Sequence, residues 1–564
     1  MLTSKNLLGV IALSTVIGLM SYLTSLCARR QNNNFSAMNS SFVSSVWCNY
    51  GQSGEKICRF QNLCYNSRFQ DFQFILTDES VVSGVQNVSE WMNIDMSTVL
   101  EHNAFKLKLS ILSDTNKFKR LVYHKLPTFI LHRFKPDNIM HVIHDDLIPL
   151  YTTMEAISDG TVPFNQKFGL AFSDNYSTTA LDEWYQNFSA APLIRLMSTN
   201  ETVCFSNAYI GLHRTTVWFR YGFKQVQGPY YNNNFNSQVI RNFVNFNLEI
   251  RRETFHSDCK MNSKQIKIIV LSRSQTRRIL NMEFLVKAIK KACTKIYPNN
   301  KFDIVQIDIS IHSINFILCQ IRQAKLIVGM HGAAMILSIF LPSLSGIVEL
   351  FPFGINPENV SFLKSLLEQH QQYPLYYEPW INIERENSVA GMNTNPLLGG
   401  ISHLPQHEQN TIKGLTQVPA VKCCHDPTYL YYMYHDTFLS DSIFEVIHKC
   451  LRKTQINTFD KNVLLSKLVF PASPAFLMCV VKENILSVDW GELSNAQENV
   501  GLWFQITVQF GEHVKNFNIY DSASTMFATH IDNYAEATEV WLQAFNNKNI
   551  GGIIKHTRCL SVTE

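Results

Sequence analysis

Between residues 264 and 351 the sequence alternates strand-like and helix-like segments, and this alternation limits the fold more than any other feature. Gln265–Leu271 reads as a strand, Asn281–Ile296 as a helix with Asn281 as N-cap, and Phe302–Ile309 as a second strand. Ser313–Ala324 follows as a helix and Leu326–Gly329 as a third strand. His331 to Ala334 opens another helix, and Gly346–Phe351 is a fourth strand. Such β-α units wind into a parallel sheet with both faces covered.

A weaker form of the pattern lies upstream. Thr128–Leu131 reads as a buried strand, Asn138–Glu155 as a helix, and Phe168–Phe172 and Cys204–Gly211 as strands. Two such regions predict an α/β body of paired Rossmann-like lobes, at about 46–240 and 255–440, with a cleft between them. From about 466 the spacing changes. Ile485–Trp490, Leu502–Phe510 and Glu539–Phe545 are strand candidates with no helical segment between them, which predicts a small all-β sandwich over 466–564. The chain's 564 residues exceed what one core organises, consistent with this division.

The long apolar run is Leu7 to Cys27, with Lys5 before it and Arg29-Arg30 after it. About 20 residues cross a bilayer core of about 30 Å, so it reads as a transmembrane signal-anchor; a cleavable signal peptide is the alternative. Residues 1–6 form a short tail, 28–45 a polar stem, and 46–465 the catalytic body. Asn-X-Ser/Thr glycosylation sequons occur at Asn34, Asn39, Asn87, Asn175, Asn187, Asn200 and Asn359, all beyond the apolar run. Twelve of the 13 cysteines also lie beyond it, without a C-x-x-C pair. They read as disulfide material, with Cys58, Cys64, Cys479 and Cys559 as candidates, and their even number permits full pairing. Together these features place the body in the secretory lumen. A formal charge of +4 is too small for a nucleic-acid-binding surface on a chain this long.

Three polar clusters interrupt the apolar body. The densest is Arg133-Phe-Lys-Pro-Asp-Asn-Ile-Met-His-Val-Ile-His-Asp-Asp146. His141 and Asp145 are four apart on a helix and share a face, as a general base and its orienting carboxylate would. Asp146 is turned away from that face. The second is Gly329-Met-His-Gly-Ala-Ala334, at the end of a strand. Small residues there let a ligand approach the backbone, and a helix opening next to them offers N–H groups to phosphate oxygens. The third is Ser272-Arg-Ser-Gln-Thr-Arg-Arg278, whose arginines suit a diphosphate. Glu349, at the end of its strand, is a candidate for ribose hydroxyls. A chain with no D-x-D, no G-x-G-x-x-G and no P-loop gives no support to a metal, dinucleotide or NTPase site.

In this order the clusters resemble glycosyltransferase family 61. The resemblance rests on Ile57–Tyr65, Arg133–Leu150, Thr216–Pro229, Ser272–Asn281, Met330–Pro357, Gly399–Leu404 and Cys423-Cys424. It implies a GT-B-type fold with a C-terminal fibronectin type III-like module, in a single-pass type II protein of the endoplasmic reticulum membrane. It implies inverting transfer of GlcNAc from UDP-GlcNAc, in β-1,4 linkage, to O-linked mannose on Ser/Thr of glycoproteins such as α-dystroglycan. No cofactor is required. His141 and Asp145 then fall at the catalytic centre, either one serving as base. Arg133, Asn138 and Asp146 fall on the acceptor side, and Arg273, Arg278, His331, Gly332, Ala333 and Glu349 on the donor side. The competing expectations are transfer of GlcNAc to bare Ser/Thr of EGF domains by the same apparatus, and a lumenal glycan-binding protein without catalysis.

Overall fold

A computed structural model describes residues 42–561 apart from internal stretches, the longest of which are 252–264 and 456–470. The apolar run Leu7–Cys27, the sequons at Asn34, Asn39 and Asn87, and the boundary at 465–466 lie outside the described residues. Among the described residues, no helix is long and apolar enough to cross a membrane.

The second α/β region follows the sequence closely. Five parallel strands run in the order Lys301–Ile307, Gln265–Leu271, Ala324–Met330, Ser345–Phe351 and Leu375–Ile381. All seven residues of Ser345–Phe351 are buried, as expected of a central strand covered on both faces. Helices Met282–Ile296 and Ser442–Lys453 cover one face with Leu285, Ile289, Ile443 and Ile447. Ile314–Ile321 and Phe362–Gln369 cover the other.

Two local readings change. The segment opened by His331 is a 3-10 helix, Ala333–Phe340, with Gly332 as its N-cap. Asn281 holds the N-cap position of its helix, but its side chain makes no capping hydrogen bond there. Its amide instead donates to Leu439 O at 2.8 Å and accepts from Leu439 N at 2.9 Å, pinning a distant loop to the helix start.

The first region is mixed rather than a simple Rossmann lobe. Thr202–Ile210 pairs in parallel with Thr128–Leu131, and Gly169–Phe172 and Ile194–Arg195 extend that parallel half. On its other side Thr202–Ile210 pairs antiparallel with Lys56–Asn66, which in turn pairs with Ser45–Tyr50. Disulfides Cys48–Cys58 and Cys64–Cys204 join residues directly opposite each other in these antiparallel pairs. One apolar cluster runs from this region into the second sheet, including Phe129, Leu131, Ile269, Leu271, Ile327 and Ile347. The two sheets therefore share a packed base.

The C-terminal region is two four-stranded sheets around Trp490, Phe504, Val508 and Val540, with a third disulfide, Cys479–Cys559. It rests on the first sheet, where the Arg558 guanidinium lies over the Trp47 ring and Asn49 donates to Glu539. Full cysteine pairing is not met among the described residues, because Cys293 and Cys450 are buried thiols. Asn175 and Asn200 are exposed. The Asn187 side-chain nitrogen is buried, which leaves no room for a glycan on this fold.

Candidate functional site

The first cluster forms where a parallel strand ends. Thr128–Leu131 delivers the chain to Arg133, Pro136 follows, and His141–Leu147 winds as a π-helix before Ile148–Ile157 continues as an α-helix. Single π-turns of this kind recur at functional sites. His141 Nδ1 lies 2.6 Å from Asp145 Oδ2, and His144 Nδ1 lies 2.6 Å from Asp145 Oδ1. The Tyr221 hydroxyl donates to the same Oδ1 at 2.9 Å. Asp145 is 1% exposed and His144 is 0%, whereas His141 is 8% exposed and carries the cluster to the surface. Burial opposes the Asp145 charge, but His141 and His144 outweigh it and hold the carboxyl well below the usual range.

Asp146 points elsewhere, as adjacent helical residues must. It accepts from the Tyr185 hydroxyl at 2.5 Å, and burial drives its carboxyl well above the usual range. Arg133 has no exposed surface. It makes a two-pronged contact with Asp174 (Nη2 to Oδ1 at 2.7 Å, Nε to Oδ2 at 2.9 Å) and reaches Asp182 at 3.3 Å. Its expected place on the acceptor side gives way to an internal one, because both its charge and its ring-facing plane are taken up by buried groups. Asn138 accepts from the Met140 backbone N–H and starts the helical segment.

In the second cluster His331 Nδ1 lies 2.7 Å from Glu349 Oε1. Glu349 Oε2 accepts from Ser361 at 2.6 Å and from Tyr377 at 2.7 Å, and the residue has no exposed surface. The expectation that Glu349 holds ribose hydroxyls is overturned: both its oxygens are occupied, and it orients His331.

Gly332 has φ 147°, and a Cβ there would stand 2.5 Å from Arg277 Nη1 and 3.3 Å from Arg273 Nη2. The backbone after His331 is thus bare and faced by two guanidiniums. Arg277 Nη1 donates to His331 O at 3.0 Å, while its Nε is buried with no partner. Burial and the neighbouring Arg277 charge push the Arg273 guanidinium down to about 9. Two crowded cations with no carboxylate bound to them among the described residues favour an anion between them. Arg278 does not join them. Its side chain is 48% exposed and paired with Asp436. Arg277, not Arg278, stands beside Arg273 at the Gly332 backbone.

The segment Trp218–Tyr221 ties the clusters together. The Trp218 indole N–H donates to Phe362 O at 2.9 Å, its ring meets His144 edge-on at 4.2 Å, and Phe362 lies 6.4 Å from the His331 ring. Sequence reasoning missed Tyr221 as a site residue; its one signal was the Tyr221-Gly-Phe triplet within Thr216–Pro229. A cavity of about 310 Å³ lies elsewhere, between the first sheet and the sandwich, beside Trp47, Tyr209, Glu539 and Trp541. None of the cluster residues lines it.

The glycosyltransferase 61 family matches residues 139–348, a span that holds His141, Asp145, Arg273, Arg277 and His331. The chain is 33% identical to protein O-linked-mannose beta-1,4-N-acetylglucosaminyltransferase 2 of Xenopus tropicalis, over 71% of this chain and 68% of that one. To the Takifugu rubripes protein of the same name it is 30% identical, over 88% and 86%. To the Homo sapiens one it is 31% identical, over 71% and 67%. With both polar clusters inside the matched span, the chain belongs to glycosyltransferase family 61 and is a glycosyltransferase.

Proposed function

We propose that the protein transfers GlcNAc from UDP-GlcNAc, with inversion, to the 4-hydroxyl of O-linked mannose on Ser/Thr of an α-dystroglycan-like glycoprotein. One observation carries the choice of base: the His141 ring reaches solvent while its Nδ1 is held by a carboxylate that does not. His141 takes the proton from the acceptor hydroxyl at Nε2 as that oxygen attacks the anomeric carbon. Asp145 is the positioning residue that fixes the ring and stabilises the imidazolium. The UDP diphosphate leaves toward Arg273, Arg277 and the bare backbone at Gly332 and Ala333. With two guanidiniums at the leaving group, the reaction proceeds without a metal ion.

The acceptor class rests on the names of the relatives. Disulfides and sequons support an endoplasmic reticulum lumenal body behind a type II anchor at 7–27. We also take the two sheets as a GT-B-type pair, and the sandwich as fibronectin type III-like. The test is secreted residues 45–564 with UDP-GlcNAc and three matched acceptors: O-mannosyl peptide, bare Ser/Thr peptide and an EGF domain. Transfer to the mannosyl peptide alone is expected. Transfer to the EGF domain instead would reassign the acceptor, and UDP binding without transfer to any acceptor would leave a glycan-binding protein.

A further inference from the structure

Cys423 and Cys424 are adjacent in sequence, and their sulfur atoms lie 2.9 Å apart. Non-bonded carbon atoms keep about 3.5–4.0 Å, and sulfur is larger. The approach comes from the backbone. Cys424 has φ 59°, a left-handed conformation that a cysteine seldom adopts. Both residues are half-buried, in the loop before the helix Pro427–Met433.

The other thiols among the described residues behave differently. Cys293 and Cys450 are buried in apolar surroundings that push each thiol up to about 12. The hydrogen bond with Cys424 instead holds Cys423 below the usual thiol range. Thiolate character and access are what disulfide exchange requires. The pair also touches the site: both sulfurs lie against the Tyr221 backbone O, Cys424 Sγ at 2.6 Å and Cys423 Sγ at 3.6 Å, and the hydroxyl of that tyrosine donates to Asp145.

We propose that Cys423 and Cys424 form a disulfide with each other, and that its formation and reduction act on the catalytic cluster through Tyr221. The oxidant is an external disulfide, either a dithiol–disulfide oxidoreductase or oxidised glutathione. The Cys423 thiolate attacks one sulfur of that disulfide and releases its other half as a thiolate. The Cys424 thiolate then attacks Cys423 Sγ and releases the second half. The two cysteines lose two protons and two electrons, and the external disulfide becomes two thiols. Oxidation removes both S–H groups beside the Tyr221 carbonyl, so the segment carrying the tyrosine hydroxyl loses an anchor. The reduced form is the faster enzyme.

The test equilibrates the full chain in glutathione buffers from fully reduced to fully oxidised, alkylates without further reduction, and weighs the peptide holding both cysteines. Its transfer activity is followed in parallel. At the oxidised end the peptide is expected to carry no alkyl group and to be lighter by two hydrogens than its dithiol form. At the reduced end it carries two alkyl groups, and transfer is faster by roughly two- to tenfold, the worth of one neutral hydrogen bond. Two alkyl groups at every ratio, or either cysteine joined to a different one, would overturn the proposal. So would a Cys424→Ser protein whose activity follows the wild-type curve across the series. The mass measurement needs no transfer reaction, so it stands apart from the acceptor assignment.

Discussion

The molecule holds the same pair twice, a histidine whose Nδ1 meets a buried carboxylate, once on a helix and once across two strands. At His141–Asp145 the separation is 2.6 Å, and at His331–Glu349 it is 2.7 Å. The surroundings differ. Asp145 is shared with a second histidine and a tyrosine, and its partner His141 keeps a small exposed edge, 8% of its surface. Glu349 is shared with a serine and a tyrosine, and His331 stacks on Phe351 while its backbone carbonyl takes Arg277. A histidine–carboxylate pair is therefore not a function in itself. We assign the first to moving a proton, and the second to holding a bare stretch of backbone beside two arginines.

The largest effect separates the two pairs directly. His141→Ala is expected to lower kcat by about 10²–10⁴ while UDP binding by calorimetry is unchanged. Asp145→Asn should lower kcat and move its pH profile. If His331→Ala reproduces the His141 result in kcat with donor KM unaltered, the division of roles is wrong.

Next comes Arg277→Ala, which should raise the donor KM roughly ten- to a hundredfold, the cost of losing a charged contact of about 1.5–3 kcal/mol. Arg278→Ala, with its side chain turned to Asp436, should leave KM near the wild-type value. Equal effects of the two substitutions would return Arg278 to the site.

The smallest effect concerns stability and sharpens the contrast within one helix. The folded Asp145 carboxyl lies below its ordinary value, so its ionised form stabilises the fold at neutral pH. That contribution is lost only as pH falls below about 3.9, toward the folded value. Asp146 is shifted the other way, so it costs stability as pH rises above the ordinary carboxyl range. Asp145→Asn should lower the melting temperature at pH 7 by the equivalent of about 1–3 kcal/mol. Asp146→Asn should leave it unchanged or raise it, because an amide still accepts from Tyr185. Thermal melts at pH 5 and pH 7 check both signs.

Most of the second sheet was legible because apolar period and turn residues agree there. Gln265–Leu271 was read to the residue, and Ser345–Phe351 to within one. The first region was harder because its strands pair across long separations: Cys64 meets Cys204, and nothing local to either announces it. In the site, His141 and Asp145 were readable because helical spacing alone brings them together. Choosing between Arg277 and Arg278 was not possible from sequence. Arg277 sits at φ 56°, and that single backbone turn aims one side chain at His331 and leaves its neighbour to Asp436. Glu349 misled for a related reason. A strand buried along both faces shows no alternation, so the sequence cannot tell a carboxylate at the rim from one sealed inside.

The short Trp218–Tyr221 segment has a consequence for how the enzyme comes together. Its indole is fastened to the second half of the molecule at Phe362, and its phenol completes the carboxylate's shell in the first. A chain in which only one half had folded would carry His141 and Asp145 without the hydroxyl that completes their setting. Proton-transfer competence is thereby made contingent on both halves having docked, as a two-key lock opens only when both keys are turned.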